Sequence, residues 1–565
     1  MTGFLTTLPD WHTLSLAQQV AQMVVVRASG HLFDQQIEYP DWEPPVSVLQ
    51  HWVQDLGVGG VILLGGTAAE VALRTHQLQS WATTPLLIAA DIEEGVGQRF
   101  AGATWFPPPM AIGAIAAHDL DRAITYAEAM GSATAAEALA IGINWVLAPV
   151  VDVNNNPANP VISLRAWGET PALVSQLSEA FIRGAQRHPV LTTAKHFPGH
   201  GDTAIDSHLD LPVLSHDRDR LAQIEFPPFQ SAIAAGVDAV MTAHLQIPAI
   251  DPVYPATLSA NLLTGLLRHD LGFDGLITTD ALIMGAITKR YGATEASVLA
   301  VLAGADIVLM PVDPEATIEA ICAAVEAGRI PIERIHQSLE RIWRAKQKVS
   351  NLSIAGNTSH AWEQIPPPTF DIQGFTQHLA QPQTLQTATA ILQASQTLHR
   401  PSLGHLNVLP PDQPRRNLIL VDDWLNSPFL TKQAPAIILP QQQGYTLERL
   451  DRFTPPCSPE ATQSHMPTLL QLFLRSNPFR GIAGLSQIAQ DWLQFLIHTK
   501  QLQAFILYGS PYSLEQFVAQ LPAEIPYVFS YGQMPAAQRL ALNALLKSTQ
   551  TPTRFITQHN REFTD

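Results

Sequence analysis

Over its first 350 residues the chain alternates short runs of consecutive apolar residues with longer stretches whose apolar positions recur at helical spacing. The runs are "MVVVRA" from Met23, "VGGVILLG" from Val58, "PLLIAAD" ending at Asp91 and "INWVLAPVVDV" ending near Val153. They continue with "VLTTAKH" ending at His196, "AVMTAHL" ending at Leu245, "GLITTD" ending at Asp280 and "ADIVLMP" ending at Pro311. None alternates apolar with polar, which is the pattern of parallel strands buried on both faces. Amphipathic segments such as "PALVSQLSEAFIRGAQR" and "PEATIEAICAAVEAG" lie between them. In "AIAAGVDAVMTAH" and "VLAGADIVLMP" a glycine ends a helix just before a strand begins. Eight such units predict an α/β fold, a TIM-like (β/α)8 barrel over residues 1–350. An open doubly wound sheet is the competing arrangement, and eight consecutive units favour closure.

From residue 351 to 415 the chain turns rich in Pro, Ser, Asn and Gln, which reads as a linker holding some helix in "PQTLQTATAILQASQTL". Residues 416–565 again alternate strand-like and helical stretches and predict a smaller C-terminal α/β domain. That domain shows no phosphate-binding glycine loop and no other catalytic signature.

Composition narrows the class. At 46% hydrophobic and 14% charged residues the chain can bury ample core. Its 49 acidic residues against 32 basic ones give a net charge of −17, which argues against a nucleic-acid partner. The two cysteines, Cys322 and Cys457, fit no metal spacing and are expected to be small buried residues. The sequence shows neither a signal peptide nor a run of about 20 apolar residues. A cytoplasmic protein with no membrane span, a monomer or weak homodimer, is therefore expected.

The candidate chemistry gathers where strands end, because strand C-termini line one mouth in such a barrel. Asp91 follows the third strand and Asp152 the fourth; Lys195 and His196 close the fifth, His244 the sixth and Asp280 the seventh. In "LITTDALIM" a single carboxylate sits between two apolar stretches, costly to bury unless it is hydrogen-bonded or used. After the fifth strand comes "AKHFPGHGDTAIDSHLDLP", from Ala194 to Pro212, with three histidines and three aspartates in one loop. Asp206 and His208 stand two apart, so in an extended segment they point the same way. A carboxylate on one imidazole nitrogen would leave the other free to give and take a proton. A loop acid/base facing a strand-end carboxylate suits glycoside hydrolysis with retention. Asp91, Arg99, Arg165 and Lys195 would then grip sugar hydroxyls.

The same loop resembles the signature of the β-N-acetylhexosaminidases of glycoside hydrolase family 3, the group that includes peptidoglycan-recycling β-N-acetylglucosaminidases. "AADIEEGVGQRF", "LAPVVDVNNNPANPVISLRAWGETP", "AVMTAHLQIPAIDPVYPATLS" and "GFDGLITTDALIMGAI" support the resemblance in the same order. It implies Asp280 as nucleophile, His208 as acid/base oriented by Asp206, and Asp91, Arg99, Arg165, Lys195 and His196 around the sugar. It implies no cofactor and no metal. The expected activity is an exo-acting, retaining β-N-acetylglucosaminidase on muropeptide or chitin-type oligosaccharides. Alternatives are a β-glucosidase or β-xylosidase, a GlcNAc phosphorylase, and an inactive sugar-binding protein. Where relatives commonly carry "DQEGGRVQR" this chain has "DIEEGVGQR", losing a small residue and an arginine.

Overall fold

The computed structural model describes residues 8–203, 211–350, 377–401, 413–454, 466–475 and 483–546. The chain divides into two compact units. One comprises residues 1–395 together with 475–482, the other residues 396–474 together with 483–565.

In the first unit eight parallel strands follow one another in chain order: β1 (Val24–Ser29), β2 (Gly60–Leu64), β3 (Leu87–Ala90), β4 (Trp145–Val146), β5 (Leu191–Phe197), β6 (Ala239–Thr242), β7 (Leu276–Thr278) and β8 (Val308–Leu309). From β1 to β7 each strand pairs with its sequence neighbours, β8 pairs with β1, and an isolated bridge from Thr278 on β7 to Ile307, just before β8, closes the ring. That is the expected barrel in place of the open sheet. The strands are apolar because both faces are covered: β1, β3, β5, β6 and β7 are buried along their whole length.

Local chemistry fixes where the surrounding helices start. Ser15 with Gln18, and Thr67 with Glu70, form reciprocal caps in which each side chain bonds the other residue's backbone N–H. Pro171 opens the helix Pro171–Ala185, where its missing N–H removes nothing from the ladder. At the opposite end of the barrel from the strand C-termini, the buried Asp306 carboxylate receives Arg268, Arg334 and Arg341. Lys346 is also enclosed, its Nζ donating to Gln22 Oε1 at 2.7 Å and to the Pro85 carbonyl at 2.6 Å. Burial pushes the Lys346 ammonium down to about 7. The helix anticipated inside the Pro-rich stretch is Pro382–Ser395, which packs against the helices Pro109–Ala116 and Leu120–Ala140. Cys322 is only partly buried, and Cys457 lies outside the described residues.

The second unit is a sheet in the order β11-β10-β12-β13-β14-β9. Its strands are β9 (Thr397–His399), β10 (Arg415–Val421), β11 (Tyr445–Leu450), β12 (Thr468–Leu474), β13 (Leu502–Gly509) and β14 (Tyr527–Ser530). All pairings are parallel except β14 with β9. Ile419, Phe473, Ile506 and Tyr508 fill its core, and Gln471 links Asn417 to the buried Tyr508 hydroxyl.

Candidate active site

The strand register sorts side chains into those facing the barrel lumen and those facing the helices. Paired residues on adjacent strands share a face, and the face alternates along each strand. Lys195 on β5 pairs with Met241 on β6, which pairs with Thr278 on β7. On the other side Ala89 on β3 pairs with Trp145 on β4, and Trp145 with Leu191 on β5, four residues before Lys195. Lys195 reaches Asp91, two residues beyond Ala89, so this shared face is the inner one.

At the mouth these positions meet in a charged cage. Lys195 Nζ stands 2.7 Å from Asp91 Oδ1 and 2.7 Å from Glu93 Oε1. Arg165 grips Glu93 with two parallel hydrogen bonds of 2.7 and 2.8 Å. Arg99, on the exposed side, donates its Nε–H to the Asp91 carbonyl at 3.0 Å. Burial opposes ionisation of Glu93, but Arg165 and Lys195 outweigh it and hold the carboxyl well below the usual carboxylate range. In return Asp91 and Glu93 keep Lys195 protonated despite its own burial.

Asp152 is the second organising carboxylate. It is fully enclosed and accepts His196 Nδ1–H at 2.8 Å and the His200 backbone N–H at 2.7 Å. Arg165, which can only donate, faces His196 Nε2 at 3.4 Å, so His196 carries its proton on Nδ1. Burial lowers His200 to about 4, so its ring is neutral at pH 7, and it lies close enough to Asp280 to feel that carboxylate's charge. Asp280 follows β7, is partly exposed, and accepts the Ala281 N–H at 2.7 Å. His244, buried at the end of β6, donates Nε2–H to the Ala281 carbonyl at 3.1 Å and so fixes the peptide beside Asp280.

The loop after β5 is pinned at its base. Asn159 donates to the carbonyls of His200 and Gly201 at 2.8 and 3.0 Å. A Cβ on Gly201 would lie 1.7 Å from the Val153 carbonyl oxygen, so no larger residue fits. Asp202 on the outgoing limb pairs with His216 at 2.8 Å and with Arg220 at 3.3 Å on the returning limb.

Thus Asp91, Arg99, Arg165, Lys195 and His196 come together at one mouth, with Asp280 at the end of the seventh strand. Asp206 and His208 lie outside the described residues. Sequence reasoning gave no role to Glu93, Glu94 or His200. Glu94 is fully buried, accepts Trp105 Nε1–H at 2.9 Å, and forms a two-point ion pair with Arg475, one of whose contacts is 3.0 Å. Two adjacent glutamates directly after a buried strand were the available signal, since neither could face solvent.

Comparison with known proteins identifies the family. Residues 15–345 match the glycosyl hydrolase family 3 N-terminal domain, and residues 410–547 match the bacterial glycosyl hydrolase family 3 C-terminal domain. The chain belongs to glycoside hydrolase family 3. It is 36% identical over 351 residues to the β-hexosaminidase A of Pseudoalteromonas piscicida, covering 55% of this chain and 58% of that protein. It is 31% identical over 388 residues to a β-N-acetylglucosaminidase/β-glucosidase of Cellulomonas fimi, covering 67% of this chain and 65% of that one. The matches thus span less than two thirds of either curated relative. Among solved structures, a family 3 β-N-acetylglucosaminidase from Paenibacillus sp. str. FPU-7 superposes with a TM-score of 0.73 at 31% identity. That superposition covers 94% of this chain and 97% of the other. Among the described residues no helix is long and apolar enough to cross a membrane, and no cluster of His, Cys, Asp or Glu could hold a metal ion.

Proposed function

We propose that the protein is an exo-acting, retaining β-N-acetylglucosaminidase that removes terminal β-linked GlcNAc from muropeptide or chitin-type oligosaccharides. One observation carries the reading: Asp280 stands partly exposed at the end of β7 at the mouth that also holds the Asp91–Lys195–Glu93–Arg165 cage. In this mechanism Asp280 attacks the anomeric carbon, the leaving oxygen takes a proton from His208, and a covalent glycosyl-enzyme forms. Asp206 orients His208, which afterwards removes a proton from the attacking water. Asp91, Arg99, Lys195, Arg165 and His196 hold the sugar ring by charge-assisted hydrogen bonds that a ligand-filled mouth would share with the cage. The His200 ring lies close to Asp280 and, being neutral at pH 7, adds no positive charge beside the nucleophile. The Pseudoalteromonas relative and the Paenibacillus structure carry hexosaminidase or N-acetylglucosaminidase names alone, which supports GlcNAc, while the Cellulomonas relative is named for both GlcNAc and glucoside cleavage.

The test is turnover of an aryl β-GlcNAc by the unaltered chain and by Asp280→Asn. The substitution should lower kcat by several orders of magnitude, and a fluorinated mechanism-based sugar should label Asp280 in the unaltered protein. Full activity in Asp280→Asn would remove the assignment. A rate that rises with added phosphate would replace hydrolysis by phosphorolysis.

A further inference from the structure

The loop that leaves β1 at the C-terminal face of the barrel, residues 30–45, carries an unusual surface. Phe33, Tyr39 and Trp42 are 60%, 47% and 37% exposed, although each is a large apolar side chain. Singly exposed apolar residues are ordinary; the fixed pair that Tyr39 and Trp42 form is not. Tyr39 and Trp42 stack with centroids 5.7 Å apart and planes 13° from parallel. The Arg27 guanidinium sits 5.1 Å from both ring centroids. Arg27 is itself held by the buried Glu43, with bonds of 3.1 and 2.8 Å. The two rings are therefore stacked on each other and braced from below by a buried ion pair, while part of their surface meets solvent.

The strand register shows which way this platform looks. Arg27 pairs with Ile62, Ile62 with Ala89, Ala89 with Trp145, and Trp145 with Leu191. Lys195 lies on the same face four residues on, so Arg27 points to the inner side of the barrel, as the cage residues do. β1 is separated from β7, which ends beside Asp280, by β8 alone, about 10 Å across. The aromatic pair thus flanks the mouth above β1, two strands from the ends of both β7 and β3.

Building on the activity proposed above, we infer that Tyr39 and Trp42 form a shelf on which the aglycone end of a neutral β-linked GlcNAc oligosaccharide rests. A pyranose offers an apolar face of C–H groups that packs on an aromatic ring, and rings already fixed lose little entropy on binding. The charge around the shelf selects against an anionic aglycone. Asp34, Glu38 and Asp41 are exposed on the same loop, which carries no lysine or arginine. A muramic-acid aglycone, with its lactyl carboxylate and acidic peptide, would meet like charge there. A chitin-type chain, uncharged throughout, would not.

The experiment uses the full chain and two substrates, tri-N-acetylchitotriose and β-GlcNAc fluoride, whose leaving atom carries no ring. The readout is the ratio of their kcat/KM values. In Tyr39→Ala/Trp42→Ala this ratio should fall about tenfold or more. Tyr39→Phe/Trp42→Phe keeps two rings and should keep the ratio near its unaltered value. If the alanine pair fails to fold, Trp42→Leu, apolar but without a planar face, serves in its place. An unchanged ratio in the ring-deleted variants overturns the shelf. With the unaltered protein, a GlcNAc–muramic disaccharide should be a poorer substrate than di-N-acetylchitobiose, with the gap narrowing as salt rises; a preference for the anionic disaccharide overturns the assignment of the aglycone. Failure of the unaltered chain to release GlcNAc from either trisaccharide or fluoride would bring down the activity itself, a result distinct from failure of the shelf.

Discussion

Replacing Arg475 by methionine removes one half of an ion pair whose other half has nowhere to go. Glu94 is wholly buried, while the Arg475 side chain keeps 27% of its surface exposed. Breaking a buried pair by deleting one partner costs about 3–5 kcal/mol, because the remaining charge stays desolvated. Water reaching the Arg475 side softens this, and Trp105 Nε1–H still serves Glu94, so we expect a loss of about 2–3 kcal/mol. Glu94→Gln keeps a group able to accept from Trp105 and should lose about 1 kcal/mol. In the double variant no uncompensated charge is left, so the combined loss should fall short of the sum by about 1.5 kcal/mol or more. Urea denaturation of the full chain measures this, with each transition fitted separately because two units need not unfold together. Glu94 adjoins Glu93, so kcat/KM on an aryl GlcNAc should drop in Arg475→Met and recover in part when Glu94→Gln is added. Losses that simply add, to within about 0.5 kcal/mol, would refute the argument.

Two further outcomes follow from other parts of the molecule. Lys346 has a folded pKa near 7 against an unfolded value near 10.4, so between those limits the unfolded state binds more protons and stability rises with pH. Below pH 7 the full penalty of burying the cation is felt; Lys346→Met should therefore show a flatter stability profile from pH 7 to 10, and an identical slope in both proteins would count against a buried ammonium. Gly201→Ala must displace the Val153 carbonyl, so it should lower the Tm by several degrees and cut turnover at least about tenfold. A variant matching the parent in both would show that the loop base has slack.

The architecture and the strand-end residues were legible because they obey local rules. Apolar runs on both faces announced buried parallel strands, and polar residues that interrupted them, such as Asp280 and Lys195, had to sit at the mouth. What could not be read was the partnership among charges. Glu93 is matched by Arg165 and Lys195, 72 and 102 residues away, and Glu94 by Arg475, 381 residues away. No periodicity links such positions; only the folded barrel brings them together. Arg165 and Lys195 were read as ligand-gripping groups, and the ion pairs each also makes with an internal carboxylate could not be read from the chain. The aromatic platform escaped notice because Tyr39 and Trp42 lie in an acidic, Pro-rich segment that reads as ordinary loop, and Arg27 looks like an anomaly within a hydrophobic run.

Asp152 ties the imidazole of His196 and the backbone of His200 to a single carboxylate. Ring orientation and the departure of the β5 loop therefore share one anchor, and any replacement there disturbs both together. Thr203 and Asn159 bond the loop and not the His196 ring, whereas Arg165, besides gripping Glu93, faces that ring and not the loop. Those three positions are where an engineer can adjust one without the other.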